Sequence, residues 1–478
     1  MQQGVTGNLT PYVTSSFQEH SLTATTSVMS SLLGGLVKLP LAKLLDVVGK
    51  PRGFAVCVVF LTVGLIMMAA CRNVETYAAA QAFYWVGYNG HAYIMGIFIA
   101  DSSALRNRAL MLAYASSPYI ITMWLAGPIA NSVLATIGYN WGFGIFAIVT
   151  PIITLPLFFL LMQNYYSANK GGHILEPAGG RQSVVSYLSM LDVVGLILVI
   201  AGFVLILLPL NMYAMQAEGW EPPKIIIMII VGGLLLVVFA LWERFVASFH
   251  FMPWELLIDP GTGALSIVLF VSYHIWNSYF SSFLQGCGSC VGSIVVGVAI
   301  WYTGRFKWLA VYFGVPVAIL GVGLMIQFRQ PDAYIGHIIM CQICIACAGG
   351  TLVICEQMAA MAVVEQQHIA AVLAVDGMFS SVGGAIGSTV AAVVWQGVFP
   401  VKLKEYLPAA NQQDFDSIYG SLTVQKSFPV GSEARNAINR AYDDAHKNLL
   451  IVATAVLALW IPATVAWKNV KLKTVQQT

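Results

Sequence analysis

The chain has 478 residues, of which 9% are charged and 58% are hydrophobic. Soluble globular proteins carry roughly 25% charged residues, so this composition excludes a soluble enzyme. The net charge of +2 leaves no cationic excess for a phosphate backbone, which excludes nucleic acid as a partner.

Long apolar blocks recur along the whole chain and predict membrane-spanning helices. Such a helix needs about 20 consecutive apolar residues, and no cleavable signal pattern precedes the first block. The predicted spans are Gly4–Phe17, Leu22–Leu45, Gly53–Cys71, Ala78–Ala100, Ala109–Ile137, Trp141–Met162, Leu191–Met212, Ile225–Trp242, Ala264–Leu284, Gly286–Tyr302, Trp308–Gln327, Ile335–Cys355, Ile369–Phe399 and Leu449–Trp467. We therefore predict an all-α membrane protein of about fourteen spans, the first of them truncated.

The distribution of basic residues predicts the orientation of these spans. Cytoplasmic loops carry an excess of Lys and Arg, and a cytosolic amino terminus places thirteen basic residues in inner segments and three in short outer loops. The inner residues are Lys43, Lys50, Arg52, Arg106, Arg108, Lys170, Arg181, Arg244, Arg305, Lys307, Lys468, Lys471 and Lys473, and the outer ones are Arg72, Lys224 and Arg329. The long segment 400–448 is then extracellular or lumenal.

The spans fall into groups of six, two and six. We predict a first six-helix bundle at 1–162, a polar cytosolic loop at 163–190, two linker spans at 191–246, a second bundle at 247–467 that includes the outer segment 400–448, and a cytosolic tail at 468–478. Transporters built from two such halves bind substrate at the interface near the bilayer midplane. Hydropathy alone fits a channel or a membrane enzyme equally well.

A charged turn follows the second span and predicts an inner gate. Asp46 is followed by Gly49, Lys50 and Arg52, and this string resembles the signature between helices two and three of the major facilitator fold. Charge pairs in such a turn can break and re-form as the two halves move. A solvated basic loop is the alternative interpretation.

Three charged residues at the inner end of the fourth span, Asp101, Arg106 and Arg108, are assigned to the same gate. The second half contains a similar string, Tyr302-Thr-Gly-Arg305-Phe-Lys307. The residue before it, Trp301, occupies the position of the aspartate. Arg305 is therefore a further gate candidate.

Longer strings resemble a family narrower than the superfamily. They are Gln3-Gly-Val-Thr-Gly-Asn-Leu-Thr-Pro-Tyr12, Met29-Ser-Ser-Leu-Leu-Gly-Gly-Leu-Val-Lys-Leu-Pro40, Asp101-Ser-Ser-Ala-Leu-Arg-Asn-Arg108, Tyr302-Thr-Gly-Arg-Phe-Lys-Trp308, Ala348-Gly-Gly-Thr-Leu-Val-Ile-Cys-Glu-Gln357 and Phe379-Ser-Ser-Val-Gly-Gly-Ala-Ile-Gly-Ser388. With these strings in both halves, the chain resembles the fungal siderophore-iron transporters. The resemblance implies a fourteen-helix, proton-driven importer of ferric siderophore chelates, in the plasma membrane or an endosomal membrane, with a long final outer loop.

The chain departs from that family at two places. The family has a cytosolic amino-terminal tail with a complete first helix, and it has an outer segment where this chain joins Gln285 directly to Gly286.

The resemblance implies that the iron arrives already chelated, so we expect no protein metal site. We also expect a monomer with no cofactor. The expected partners are the ferric siderophore, protons and the lipid bilayer.

Two carboxylates within predicted spans are candidates for proton coupling. Ionisable groups inside a membrane are costly and therefore functional by default, and Glu356 and Asp376 lie in the twelfth and thirteenth blocks. A structural hydrogen bond between helices is the alternative role.

Aromatic and polar residues on helical faces are candidates for chelate binding, because aromatic rings with polar tips provide flat apolar contact and a few directional hydrogen bonds. The candidates are Tyr84, Tyr88 and His91 in the fourth span, Tyr273, Trp276 and Asn277 in the ninth span and, through the family resemblance, Tyr419 and Tyr442 in the outer segment. Packing, or an aromatic belt at the membrane interface, is the alternative.

Two other functions remain open at this point. Gly127-Pro128 in the fifth span resembles part of a motif of drug:proton and glutathione:proton exchangers, although the glycine pair that follows it there is absent. The two departures from the family also allow a non-transporting membrane receptor or an inactive remnant.

Overall fold

In the computed structural model, the chain is built almost entirely from α-helices. The structure describes residues 1–16, 34–170, 192–212, 223–246, 283–330, 333–362, 364 and 369–472, and no strand occurs within these ranges. Side chains at a few positions inside the helices, among them Asp46 and Ser388, lie outside the description.

Eight helices of the described part are long and apolar enough to cross a bilayer. They are Lys50–Ala70, Leu105–Thr136, Gly138–Ser167, Pro223–Phe245, Lys307–Phe328, Ile335–Ala362, Ile369–Tyr406 and Glu433–Ala466, with shorter apolar helices at Val194–Pro209 and Gly288–Thr303. The predicted all-α, multi-pass membrane fold is confirmed. The count of fourteen stays a prediction, because the predicted span Ala264–Leu284, for example, lies almost wholly outside the described residues.

The first half contains the helices that precede the gap at 171–191. They are α1 Gln2–Ser16, α2 Lys38–Val48, α3 Lys50–Ala70, α4 Val74–Ser102, α5 Leu105–Ser116, α6 Tyr119–Thr136 and α7 Gly138–Lys170. Helix α3 packs along both α4 and α7. Asn73 begins α4 as its N-cap, because its side-chain oxygen accepts a hydrogen bond from the Thr76 N–H at 2.9 Å and satisfies one unpaired donor of the first turn.

Two linker helices, α8 Val193–Met212 and α9 Pro223–Phe245, pack against each other. The Asp192 carboxylate lies at the start of α8 and accepts hydrogen bonds from the Gly195 N–H at 3.2 Å and from Trp242 Nε1 at 2.9 Å. This contact ties the beginning of α8 to the end of α9.

The second half follows the linker pair. Its helices are α10 Phe283–Thr303, α11 Lys307–Phe328, α12 Ile335–Ala362, α13 Ile369–Tyr406, α14 Phe415–Gly420, α15 Leu422–Ser427, α16 Glu433–Leu457 and α17 Trp460–Ala466. Helix α16 begins within the predicted outer segment, at Glu433, and continues without a break into the predicted span Leu449–Trp467. Because α13 and α16 both extend beyond the predicted spans, the outer layer between them is 407–432 and is itself largely helical.

The two halves meet where α2 contacts α13 and where α5 and α6 contact α10. We call these contacts the α2–α13 seam and the α5–α10 seam. At the first seam there is no room for a Cβ on Gly35, because it would overlap Ser381. Buried apolar side chains from α2, α4, α8 and α13 form one continuous cluster behind this seam.

Two corresponding turns, one in each half, each contain a glycine with positive φ. Gly49 ends α2 with φ 91°, and Gly304 follows α10 with φ 68°. The N–H of each bonds to the carbonyl four residues earlier, at 3.0 Å for Leu45 and 2.7 Å for Ile300. Positive φ is accessible to glycine at little cost, so the second-half echo of the charged turn keeps its backbone geometry although its aspartate position is Trp301.

Candidate functional site

A large chamber of about 950 Å³ lies between the two halves. Among the described residues, its first-half wall comes from α1, α3, α4, α5, α6 and α7, and its second-half wall comes from α10 and α12. Polar lining side chains, set among apolar ones, are Gln2, Gln3, Tyr88, His91, Ser116, Tyr119, Thr150, Thr154, Ser289, Ser293 and Gln357. Pockets that bind drug-sized ligands have volumes of about 300–1,000 Å³ and combine apolar walls with a few directional polar groups.

A hydrogen-bonded group of three side chains forms part of the first-half wall. The Tyr88 hydroxyl donates to Gln3 Oε1 at 2.7 Å, and its oxygen lies 2.7 Å from that of Tyr119. Tyr88 also stacks on Tyr84 at a centroid distance of 6.0 Å. Tyr84 itself is fully buried and does not line the chamber, so it supports Tyr88 from behind.

His91 lies one turn further along the same face of α4 and also lines the chamber. Its ring packs 5.1 Å from the ring of Phe54. The Nδ1 atom is buried and has no hydrogen-bond partner among the described residues.

A smaller cavity of about 350 Å³ adjoins the chamber. The two share five lining residues, Ala92, Gly96, Leu112, Val353 and Gln357. The smaller cavity brings together both predicted proton-coupling residues, Glu356 from α12 and Asp376 from α13. Glu356 is 2% exposed, and its Oε1 has no hydrogen-bond partner in the described part of the chain.

A cation from the first half also lines the smaller cavity. The Lys38 ammonium donates to the carbonyl of Gly377 at 3.3 Å, across the α2–α13 seam. The same carbonyl accepts the hydroxyl of Ser381 at 2.9 Å. The smaller cavity therefore contains two acidic groups of one half and one basic group of the other.

One ion pair within the first half joins two residues of the predicted inner gate. Lys50, at the start of α3, makes an ion pair with Asp101, at the end of α4. The guanidinium of Arg52 lies 5.9 Å from the ring centre of Tyr165 on α7. These contacts hold together the start of α3 and the carboxyl-terminal ends of α4 and α7.

A second gate contact joins the two halves. Arg106 Nε donates to the carbonyl of Trp301 at 3.1 Å, and the guanidinium lies 5.1 Å from the Trp301 ring centre. Carbonyls at a helix C-terminus carry partial negative charge, and Trp301 lies in the last turn of α10. Arg305 is exposed nearby.

Arg108 differs from the other gate candidates, because it is 1% exposed. Its Nη2 donates to the carbonyls of Ala100 at 2.7 Å and Ser103 at 3.3 Å. Arg108 therefore binds the end of α4, within its own half.

Neither of the two outer-segment candidates lines the chamber. Tyr419 lies on α14 in the outer layer, and Tyr442 lies on α16 beside it. Tyr419 stacks on Phe415 and Phe399, and burial raises the pKa of its phenol above the ordinary value of 10. The Tyr442 hydroxyl donates to Gln425 Oε1 at 2.8 Å.

The outer layer also reaches the first half. The Lys426 ammonium, on α15, donates to the Tyr12 hydroxyl oxygen of α1 at 3.0 Å and lies 5.3 Å from the centre of its ring. This contact bridges the halves on the side opposite to Arg106 and Trp301.

Comparisons with known proteins agree with this architecture. The family model described as Major Facilitator Superfamily matches residues 1–284, which is more than half of the chain. MFS siderochrome iron transporter 1 of Ajellomyces capsulatus is 54% identical over 500 residues, which cover 100% of this chain and 85% of that protein. The chain belongs to the siderophore-iron transporters of the major facilitator superfamily. It is therefore a multi-pass membrane transporter and not an enzyme.

Further relatives of this transporter support the same family. Siderochrome iron transporter 2 of Aspergillus fumigatus is 38% identical over 493 residues, covering 98% of this chain and 81% of that protein. Among solved structures, a bacterial homologue of the human lysosomal transporter Spinster, inward-facing and unoccupied, matches with a TM-score of 0.50 and 12% identity. That match covers 98% of this chain and 94% of that one, and it bears on the fold alone.

Several predicted site residues of the transporter lie outside the described residues. Tyr273, Trp276 and Asn277 fall in the gap between 246 and 283, and the side chain of Asp46 is not described. Their assignments stay predictions.

Three residues that the sequence analysis did not select lie at the smaller cavity, at the chamber or against a predicted gate residue. Lys38 carries a detectable signal, since it is a basic residue inside the predicted span Leu22–Leu45 and such residues are functional candidates. Tyr119 and the contact of Trp301 with Arg106 have no detectable signal in the sequence, because they depend on which helices become neighbours.

Proposed function

We propose that this transporter imports ferric siderophore chelates together with protons by alternating access. The observation that carries the proposal is the chamber of about 950 Å³ between the two halves, in a chain 54% identical to a protein named a siderochrome iron transporter. The iron enters as part of the chelate and needs no ligand from the protein.

The chemistry of the chamber wall suits such a cargo. A ferric hydroxamate is large and compact, and carbonyl and hydroxyl oxygens surround its metal. The hydroxyls of Tyr88 and Tyr119 and the amide of Gln3 provide directional hydrogen bonds beside aromatic surface. His91 adds a ring nitrogen, Nδ1, that has no hydrogen-bond partner among the described residues.

Alternating access requires contacts between the halves that break in turn. Arg106 and Trp301 join the halves on the inner side, and Lys426 and Tyr12 join them on the outer side. Both are contacts of exposed or half-buried cations, which are individually weak. Rocking of one half against the other can therefore release one side while the other re-forms.

We assign proton coupling to Glu356 and Asp376. Both line the smaller cavity, which adjoins the chamber and shares five lining residues with it. A carboxylate at membrane depth is expensive when charged and inexpensive when protonated. Proton binding by this pair therefore provides a free-energy link between the pH gradient and movement of the halves.

We further propose that the transporter acts as a monomer in the plasma membrane, with an endosomal membrane as the alternative location. Either membrane separates an acidic compartment that contains chelate from the cytosol. Imaging a fluorescently tagged chain alongside markers of the two membranes distinguishes these locations.

Uptake of radiolabelled iron in cells that lack siderophore uptake tests the proposal. Expression of the chain should produce accumulation of iron supplied as a ferric hydroxamate, and accumulation should fall when the proton gradient is collapsed. Resistance to drugs without iron accumulation would support an exchanger instead. Neither result, from a chain present in the membrane, would identify an inactive remnant.

A further inference from the structure

Lys38 lies in an unusual position for a basic residue. It belongs to a membrane helix of the first half, yet its side chain crosses the α2–α13 seam and lies along Gly377 of the second half. A Cβ added to Gly377 would lie 2.6 Å from Lys38 Cδ and 2.8 Å from its Nζ. The absence of a side chain at Gly377 is thus what admits the lysine.

The charged groups near Lys38 come from the second half. Among the described side chains, no carboxylate makes a direct ion pair with Lys38, but Asp376 is near enough for the two charges to interact. Asp376 and Glu356 also interact with each other. The pair and the lysine therefore form one electrostatic unit divided between the halves.

The other titratable groups around this unit have separate partners. From α4, the Tyr93 hydroxyl donates to the carbonyl of Ala370 at 2.8 Å. From α12, the Cys355 thiol donates to the carbonyl of Phe306 at 3.5 Å. Helix α5 contributes only the apolar Leu112 to the smaller cavity.

The three charged residues lie at a common depth near the cytosolic side. Each is within about ten residues of the inner end of its helix, at Val48 for α2, at Ala362 for α12 and at Ile369 for α13, which corresponds to about 15 Å along a helix axis. Separation of the inner ends of α2 and α13 would pull Lys38 away from the two carboxyl groups.

We propose that Lys38 is the residue that links protonation of Glu356 and Asp376 to opening of the inner side of the transporter. This inference rests on the proposed proton-coupled import. While a carboxylate is charged, its attraction to the Lys38 ammonium holds the α2–α13 seam closed. A proton that arrives from the outer side neutralises that carboxylate and removes the attraction, so the seam can open.

The return step restores the starting charges. Once the seam is open to the cytosol, water reaches the carboxyl group and stabilises its charged form, and the proton leaves to the cytosolic side. The carboxylate then attracts Lys38 again and the seam closes. One proton enters from outside and one is released inside in each cycle, so the charges balance.

Lys38→Met tests this role, because it keeps the length and apolar stem of the side chain and removes the charge. We expect the variant to exchange labelled for unlabelled ferric chelate across the membrane at all pH values. A pH gradient should no longer drive accumulation beyond equal concentrations on the two sides. Lys38→Arg should retain gradient-driven accumulation, and Lys404→Met, at an exposed position of the outer end of α13, should behave as the wild type.

Gly377→Ala provides a second test in which no charge is removed. The added methyl group displaces the Lys38 ammonium from the seam, so the pH dependence of uptake should weaken while exchange persists. Wild-type pH dependence in Lys38→Met would overturn the inference, as would equal loss of exchange and accumulation in Lys38→Met and Lys38→Arg at normal membrane abundance. A wild-type chain that accumulates no iron would instead overturn the proposed import, and this inference with it.

Discussion

At the scale of single residues, Glu356 contrasts with the acidic residues of the surface. It is 2% exposed and has a carboxylate oxygen without a partner among the described groups, whereas Glu405 is exposed and pairs with Lys402. An unpartnered buried carboxyl oxygen is costly, and its retention beside a cavity favours a role in proton transfer over packing.

Glu356→Gln should abolish accumulation driven by a pH gradient, because glutamine preserves the shape but cannot exchange a proton. The variant should still reach the membrane and bind chelate in the chamber. Labelled-iron uptake at several external pH values, together with a binding assay in membranes, measures both properties. Glu405→Gln is the matched control, and wild-type accumulation by Glu356→Gln would remove this residue from the mechanism.

Arg108→Gln should mainly destabilise the fold, although its sequence position predicts a gate residue. The guanidinium is buried and bonds two backbone carbonyls at the end of α4, and a hydrogen bond to a charged group contributes about 1.5–3 kcal/mol. We expect a loss of about that size and a lower thermal midpoint in detergent. The exposed Arg440→Gln is the control, and an equal midpoint in both variants would contradict this assignment.

The sequence predicts the position of a residue well where helical periodicity determines it, and poorly where contacts with neighbouring helices determine it. Spacing along α4 correctly places Tyr84, Tyr88 and His91 on one face. It cannot show that Tyr84 lies behind the chamber wall, because the neighbouring helices determine that depth. The intramembrane position alone was sufficient to select Glu356 and Asp376, which the structure brings into one cavity.

At the scale of helices, the turn after α2 and the turn after α10 illustrate what a repeated pattern predicts. Both turns have a glycine with positive φ. The residue in the aspartate position of the second turn, Trp301, takes a different role, because it receives Arg106 from the other half. Sequence reasoning found the turn and could not find this partner, which is distant in the chain.

Trp301→Leu should loosen the α5–α10 seam. Loss of a cation–π contact of about 0.5–2 kcal/mol would shift the balance toward inner-open states by roughly two- to thirtyfold. A cysteine introduced at Ser116, which lines the chamber, should then react faster with a membrane-impermeant maleimide applied to inside-out vesicles.

Trp308→Leu is the matched control for this experiment, since Trp308 has a similar exposure of 42% against 41% for Trp301 and makes no described contact with Arg106. Equal alkylation rates in the two variants would show that Arg106 and Trp301 do not restrain the inner side.

Helix ends were less predictable than helix cores. The hydropathy blocks end where apolar residues end, but α13 runs on to Tyr406 and α16 begins at Glu433. These extensions are stabilised by a buried apolar cluster that includes Phe399 and Leu403 of α13 and Ile438 of α16. Such packing is not visible in a hydropathy profile.

At the scale of the whole molecule, the two halves enclose a chamber to which each contributes a wall. Composition and hydropathy were sufficient to predict an all-α membrane protein, and the repeated turn and family strings were sufficient to predict a two-bundle transporter. The seams were not predictable, because contacts between α2 and α13 or between α5 and α10 join residues hundreds of positions apart.

In the proposed transport cycle, the chamber carries an intact ferric chelate inward together with protons. The most direct measurement uses purified protein in liposomes, a ferric hydroxamate labelled on both the iron and the organic ligand, and an imposed pH gradient, acidic outside. We predict that both labels enter in the ratio present in the chelate and that the lumen acidifies as they do. Entry of iron without its ligand, or uptake that is insensitive to the gradient, would contradict the claim.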